Sequence, residues 1–197
     1  MKKIILTLSF IFILFTSCSV DKQQENINQE KITSVIKEKN LDNQRIMYRM
    51  LSKEEKFTIW NDKITELITD NELSEEQKNL LLGLKNNMSS NVFDDSYSND
   101  EREVFKNVIV KDFLNNAQYL FSIEFIKRNL FEIGDPVNNN NKLYVYDSIT
   151  VCSCNQGSIW SCAAGVSECR GTNKCKFATD GCGFFGMFEC NGNCFNY

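Results

Sequence analysis

Histidine is absent from this 197-residue chain, and proline occurs once, at Pro136. Without imidazole, Ser-His-Asp and Cys-His nucleophilic catalysis are excluded, as is every zinc site that uses histidine. Cysteine is missing from Ser19 to Val151, a run of 133 residues. The sequence also lacks a P-loop, a dinucleotide fingerprint and a nucleophile motif, so nothing in it points to an enzyme or a cofactor. Basic clustering is missing too. The formal net charge is −4, and residues 4–150 carry 17 basic against 23 acidic side chains. That balance excludes the electrostatic footprint of a nucleic-acid binder.

What is present begins with a targeting segment. Lys2 and Lys3 precede an apolar run from Ile4 to Phe15, which has the form of a signal peptide and is too short for an ordinary membrane span. The following "LFTSCS" resembles a bacterial lipobox, with Phe15 standing where leucine is usual. Residues 1–17 are therefore expected to be a lipoprotein signal peptide, with Cys18 lipidated and holding the chain to its own membrane. The plainer alternative is a secretory signal followed by an incidental cysteine. Either way the chain is exported, and lipidation would remove a free thiol that is a liability outside the cytoplasm.

Residues 18–39 are polar and read as a tether, with helical character possible only after Glu30. A helical region is expected over 40–134. Ser52-Lys53-Glu54-Glu55 has the form of a capping box, and Phe57, Trp60, Ile64, Leu67 and Ile68 follow at helical spacing. Ser74-Glu75-Glu76-Gln77 repeats the device ahead of Leu80, Leu81, Leu84 and Met88. A longer helical stretch is expected from about Glu101 to Ile133, with Val104, Phe105, Val108, Phe113, Ala117, Phe121, Phe125 and Leu130 as core and a break near Asn115-Asn116. The carboxylates of this region read as solvated helix faces rather than an acid–base pair. Residues 135–150 form a linker, containing four consecutive asparagines at 138–141 and one extended segment, "KLYVYDSIT".

The composition changes at Cys152. The last 46 residues hold eight cysteines, Cys152, Cys154, Cys162, Cys169, Cys175, Cys182, Cys190 and Cys194, and seven of the nine glycines. A segment this small cannot bury enough apolar surface to be stable unaided. An even cysteine count behind an export signal points to four disulfides. Connectivity stays open, because eight cysteines allow 105 pairings. A zinc site is disfavoured: paired short knuckles are wanted, and only Cys190-x3-Cys194 has such a spacing. No C-x-x-C redox motif is present. The fold class is thus mostly α: a helical region followed by a small disulfide-rich module, 151–197, with little regular structure.

"VCSCN", "DGCGFFG" and "CNGNCFNY" resemble the bacteriocin fulvocin C-related family. The likeness covers the last 47 residues and rests on Cys152-Ser153-Cys154, Gly181-Cys182-Gly183, Cys190 and Asn191-Gly192-Asn193. One departure is that Cys190 and Cys194 flank Asn191-Gly192-Asn193, where the family has a C-x-C before it, which leaves the partner of Cys194 open. The resemblance implies an exported precursor whose module acts against related bacteria at their envelope. Trp160, Phe184, Phe185 and Phe188 are the expected contact residues toward a membrane or envelope component of a target cell, since exposed aromatic clusters mark such contacts. Packing of these aromatics over the disulfides or onto the helical region is the competing expectation. The module's charges cancel, which disfavours electrostatic attraction to anionic lipid and leaves apolar insertion or a specific receptor. The alternative function is a surface-anchored lipoprotein whose module binds a partner without killing.

Overall fold

A computed structural model of the chain describes residues 27–96, 100–134, 152, 154–156, 167–171 and 175–196. The expected signal segment 1–17, Cys18, the expected linker 135–150, Trp160 and Cys162 lie outside the described residues. Seven α-helices come first among those described: α1 (Gln29–Lys37), α2 (Leu41–Arg49), α3 (Lys53–Thr69), α4 (Glu75–Asn86), α5 (Asp100–Val104), α6 (Val110–Leu120) and α7 (Ile123–Leu130). Four short strands follow: β1 (Ser167–Arg170), β2 (Ala178–Cys182), β3 (Phe188–Cys190) and β4 (Asn193–Asn196).

Both serine devices form. Ser52 accepts from the Glu55 amide while the Glu55 carboxylate accepts from the Ser52 amide, and Ser74 and Gln77 do the same at α4. Each box satisfies two amides that the first turn of a helix leaves without partners. Other side chains close helix C-terminal ends across the bundle. Gln77 donates to the Leu120 carbonyl at the end of α6, and Lys63 donates to the carbonyls of Arg128 and Glu132 around the end of α7. The apolar stripes converge as spacing implies. Trp60, Ile64, Leu81 and Leu84 are buried, with Phe57, Leu67, Ile68 and Leu80 packed half-buried against them.

Three features differ from sequence expectation. The polar stretch before residue 40 ends in α1, capped by Asn28, and its Ile32 and Val35 are buried in the common core. Buried Gln44 on α2 ties this helix in by donating to the carbonyls of Val35, Glu38 and Ile133. Second, the helix from Glu101 does not run on in a single phase. A π-helical turn at Phe105–Ile109 separates α5 from α6. The extra residue puts Phe105 and Val110 on the buried side five positions apart, and leaves Val104 and Val108 about half exposed, at 55% and 48%. A regular 3.6-residue period would set Phe105 and Val110 about 140° apart around the helix. Third, the break comes at Phe121-Ser122 rather than at Asn115-Asn116. Phe121 is extended, and Ser122 caps α7 by accepting from the Phe125 amide. Asn116 stays in α6, its side chain donating to the Asp112 carbonyl.

The C-terminal module has two small antiparallel sheets, β1 with β4 and β2 with β3. In the first, Cys169 lies opposite Cys194. Cystines join Cys152 to Cys175, Cys154 to Cys169 and Cys182 to Cys190, and Cys194 is also disulfide-bonded. Backbone hydrogen bonds knit Cys154 to Gly192 and Asn191, and Cys152 to Lys176. Little regular structure is needed, because the cross-links take over what a larger core would supply.

Candidate functional site: the aromatic hairpin at the seam

β2 and β3 are joined by a tight turn over Gly183–Met187, with Cys182–Cys190 clamping its base. The turn folds back on itself through positive-φ residues, including Phe185 at φ 54°. Gly183 has φ 69°, and a Cβ there would meet the Phe188 ring at 3.0 Å; Gly186 has φ 62°, and a Cβ there would lie 2.8 Å from the Tyr48 ring. Glycine is required at both, for conformation and for closeness. The second contact matters most, since it lets the hairpin backbone lie directly on α2.

That contact turns the hairpin inward. Phe184, Phe185 and Met187 are 1%, 0% and 2% exposed and belong to the same buried cluster as Tyr48, Trp60, Phe93, Phe105 and Phe113. The Phe185 ring stacks on Trp60 with centroids 4.8 Å apart and lies 6.4 Å from both Phe93 and Phe105. Phe184 meets Phe113 at 5.7 Å and Phe131 edge-on at 5.6 Å. Each such burial contributes about 1.5–3 kcal/mol relative to exposure, and ring geometry adds to it.

Polar groups fix the register of this plug. Tyr48 donates its phenol to the Phe185 carbonyl at 2.8 Å and accepts from the Trp60 indole at 2.9 Å. Burial drives the Tyr48 phenol far above the usual tyrosine range, outweighing the opposing hydrogen bond from Trp60, so it stays a donor. Arg102 on α5, itself buried, donates to the Met187 carbonyl at 2.9 Å. Lys56 on α3 forms an ion pair with Asp180 on β2 at 3.0 Å, each side chain 5% exposed. An isolated buried charge is costly, so each group depends on the other. At the rim, Phe188 is half-buried against the same core, with the Lys106 ammonium 5.5 Å from its ring centre.

The expectation that Phe184, Phe185 and Phe188 form an exposed contact surface is therefore corrected. The first two are interior and the third lies at the edge, because the helical region offers an aromatic cleft that the hairpin fills. The competing expectation, packing onto the helical region, describes these residues. Among the described residues of the module, Phe177 is the large apolar side chain left open, 72% exposed. Sequence reasoning missed Lys56, Asp180, Tyr48 and Arg102. One signal was available: Lys56, Trp60 and Ile64 recur at four-residue spacing on the buried side of α3, and a lysine on such a face wants a buried acid.

Other surface features are less built. A groove between α3 and α7, lined by Lys63, Glu66, Leu67, Glu124, Phe125 and Arg128, has a volume of about 640 Å³ and is broadly open. Its Lys63 is already engaged by two carbonyls. Burial raises the carboxyl of Glu132 above the usual glutamate range against the pull of Lys63 and Arg128. Among the described residues there is no cluster of three metal-ligating side chains, and no helix is long and apolar enough to cross a membrane. Compared with known proteins, the chain matches no family model, no curated protein and no solved structure.

Proposed function

We propose that this protein is the carrier form of a bacteriocin-like module: an exported lipoprotein, anchored through Cys18, whose disulfide-rich C-terminal region acts on the envelope of related bacteria. The C-terminal resemblance to the bacteriocin fulvocin C-related family suggests the activity. The observation that carries the reading is the seating of Phe184, Phe185 and Met187 inside the helical core. A cystine-clamped hairpin with three large apolar side chains at its tip is suited to enter an apolar surface. In this arrangement the tip is masked, which is what a producer cell requires of a membrane-active segment. The chain acts without a catalytic group or cofactor; its partner is a membrane or envelope component of the target cell.

The same burial favours a second reading, in which the module stays attached and the anchored protein binds an envelope component without killing. Phe177, which projects from the module, is then the contact residue. Mass spectrometry of the membrane and medium fractions separates the two. A fragment beginning near Thr150 in the medium supports release, whereas intact, Cys18-lipidated chain confined to cells supports the attached form. Killing is tested by cutting the purified protein in the asparagine linker, separating the module from the helical piece under denaturant with its cystines intact, and applying the isolated module, oxidised or reduced and alkylated, to several related strains. Equal survival in both arms removes the bacteriocin reading.

A further inference from the structure

We infer that the helical region is a binding partner of the hairpin rather than a passive carrier, so that cutting the chain between them does not by itself free the module. The inference concerns association alone and stands whether or not the module kills. The described contacts between the two parts are noncovalent, and every described disulfide lies within the module. These contacts have the make-up of a tight interface. Aromatic anchors, Phe184 and Phe185, fill a cleft formed by Tyr48, Trp60, Phe93, Phe105, Phe113 and Phe131. Two of the charged helical side chains at the seam, Lys56 and Arg102, are desolvated and matched, one to a carboxylate and one to a carbonyl. Anchors buried at the centre of an interface, with water excluded around them, dominate binding energy.

Preorganisation adds to this. Cys182–Cys190 and the module's other cystines restrain the hairpin covalently, and those restraints survive cutting of the linker. A severed module therefore loses little conformational freedom on rebinding, which favours affinity. Masking the tip thus depends on the cleft, and release requires an event that opens the seam as well as one that cuts the linker.

The test uses the full chain from Ser19, oxidised, with a protease recognition sequence placed within 138–141. After complete cutting, confirmed under denaturing conditions, the two pieces are expected to co-elute on size exclusion at micromolar concentration. Separation of the wild-type pieces on cutting overturns the inference. In Phe185→Ala the dissociation constant is expected to rise about 100-fold or more, from loss of a buried ring. In Asp180→Asn it should rise at least about 10-fold, because the Lys56 charge loses its counter-ion. If the F185A chain fails to fold, the near-isosteric D180N carries the test. Pieces that remain equally tight in D180N overturn the assignment of this seam. Tyr119→Ser, at an aromatic on α6 that is 83% exposed, is the control expected to leave association unchanged.

Discussion

The helical region and the module solve the same stability problem by opposite means. Helices α1 to α7 rely on capped ends and apolar stripes, with Trp60, Ile64, Leu81 and Ile126 fully buried. The module relies on covalent cross-links and close backbone approach, and its own buried cluster is chiefly cysteine: Cys152, Cys175, Cys182 and Cys190. Such a contrast suggests two independent bodies. At the hairpin it fails, because Phe184, Phe185 and Met187 belong to the helical core. A difference in how two segments are held together is thus no guide to whether they share a core; that depends on where large apolar side chains find a cleft.

The contrast can be broken most directly at its junction. Phe185→Ala should destabilise the whole chain by about 3–5 kcal/mol. In urea, far-ultraviolet circular dichroism of the helices should shift together with near-ultraviolet signals of the module. Separate transitions would restore the picture of two bodies. Of similar size, Lys56→Met alone should cost about 3–5 kcal/mol by stranding the Asp180 charge, while pairing it with Asp180→Leu should recover most of that loss. A double-mutant cycle of denaturation free energies measures this coupling.

Replacing Cys182 and Cys190 together by serine removes the clamp at the hairpin base. The two residues are 8 apart in sequence, so loop-closure entropy alone corresponds to about 2.5 kcal/mol. Helical content should persist at low temperature while the melting point falls, as followed by thermal circular dichroism. A smaller effect distinguishes the helical strategy from the covalent one. Glu55→Gln should cost at most about 1 kcal/mol, through loss of the Lys31 ion pair at 3.0 Å, because glutamine keeps the capping box as Gln77 does at α4. Burial works to raise the Glu55 carboxyl, but the hydrogen bonds from the Ser52 amide and Lys31, with the Lys31 charge, together hold it below its ordinary 4.5. A depressed carboxyl contributes stability above pH about 4.5 and loses it as pH falls through the folded value. The wild-type advantage over E55Q should therefore shrink on acidification, measured as a difference in urea midpoints. At the small end, Phe177→Ser should change stability by less than about 0.5 kcal/mol.

Legibility in the sequence followed the range of the interaction. Ser52 and Ser74 announced their helices because a capping box is written within four residues. The apolar faces of α3 and α4 were legible because their spacing repeats every turn. The π turn at Phe105–Ile109 was not, since one inserted residue leaves no local mark and shows only in the five-residue step between the buried Phe105 and Val110. Helical character after Glu30 was legible, but the polar residues ahead of position 40 concealed the packing of α1, whose Ile32 and Val35 are too few for a stripe yet suffice once a neighbouring cleft exists. In the module, cross-linking was evident from cysteine count, whereas three pairings required coordinates. The hairpin aromatics were misplaced for a related reason. Glycine-flanked phenylalanines look impossible to hide when the module is considered alone, and the cleft that hides them is made of residues 48 to 131.

The amino-acid sequence by itself determined where helices begin, which faces are apolar, and that the last quarter of the chain is stapled by disulfides. These follow from hydrogen-bond satisfaction within a turn, from helical periodicity and from the inability of a short segment to form its own core. Tertiary structure decided the rest: that Cys152 pairs with Cys175, that Lys56 meets Asp180 across 124 residues, and that the hairpin tip turns inward. Each of those outcomes is a competition among distant partners for removal from water, and it has no answer until the chain has closed around them.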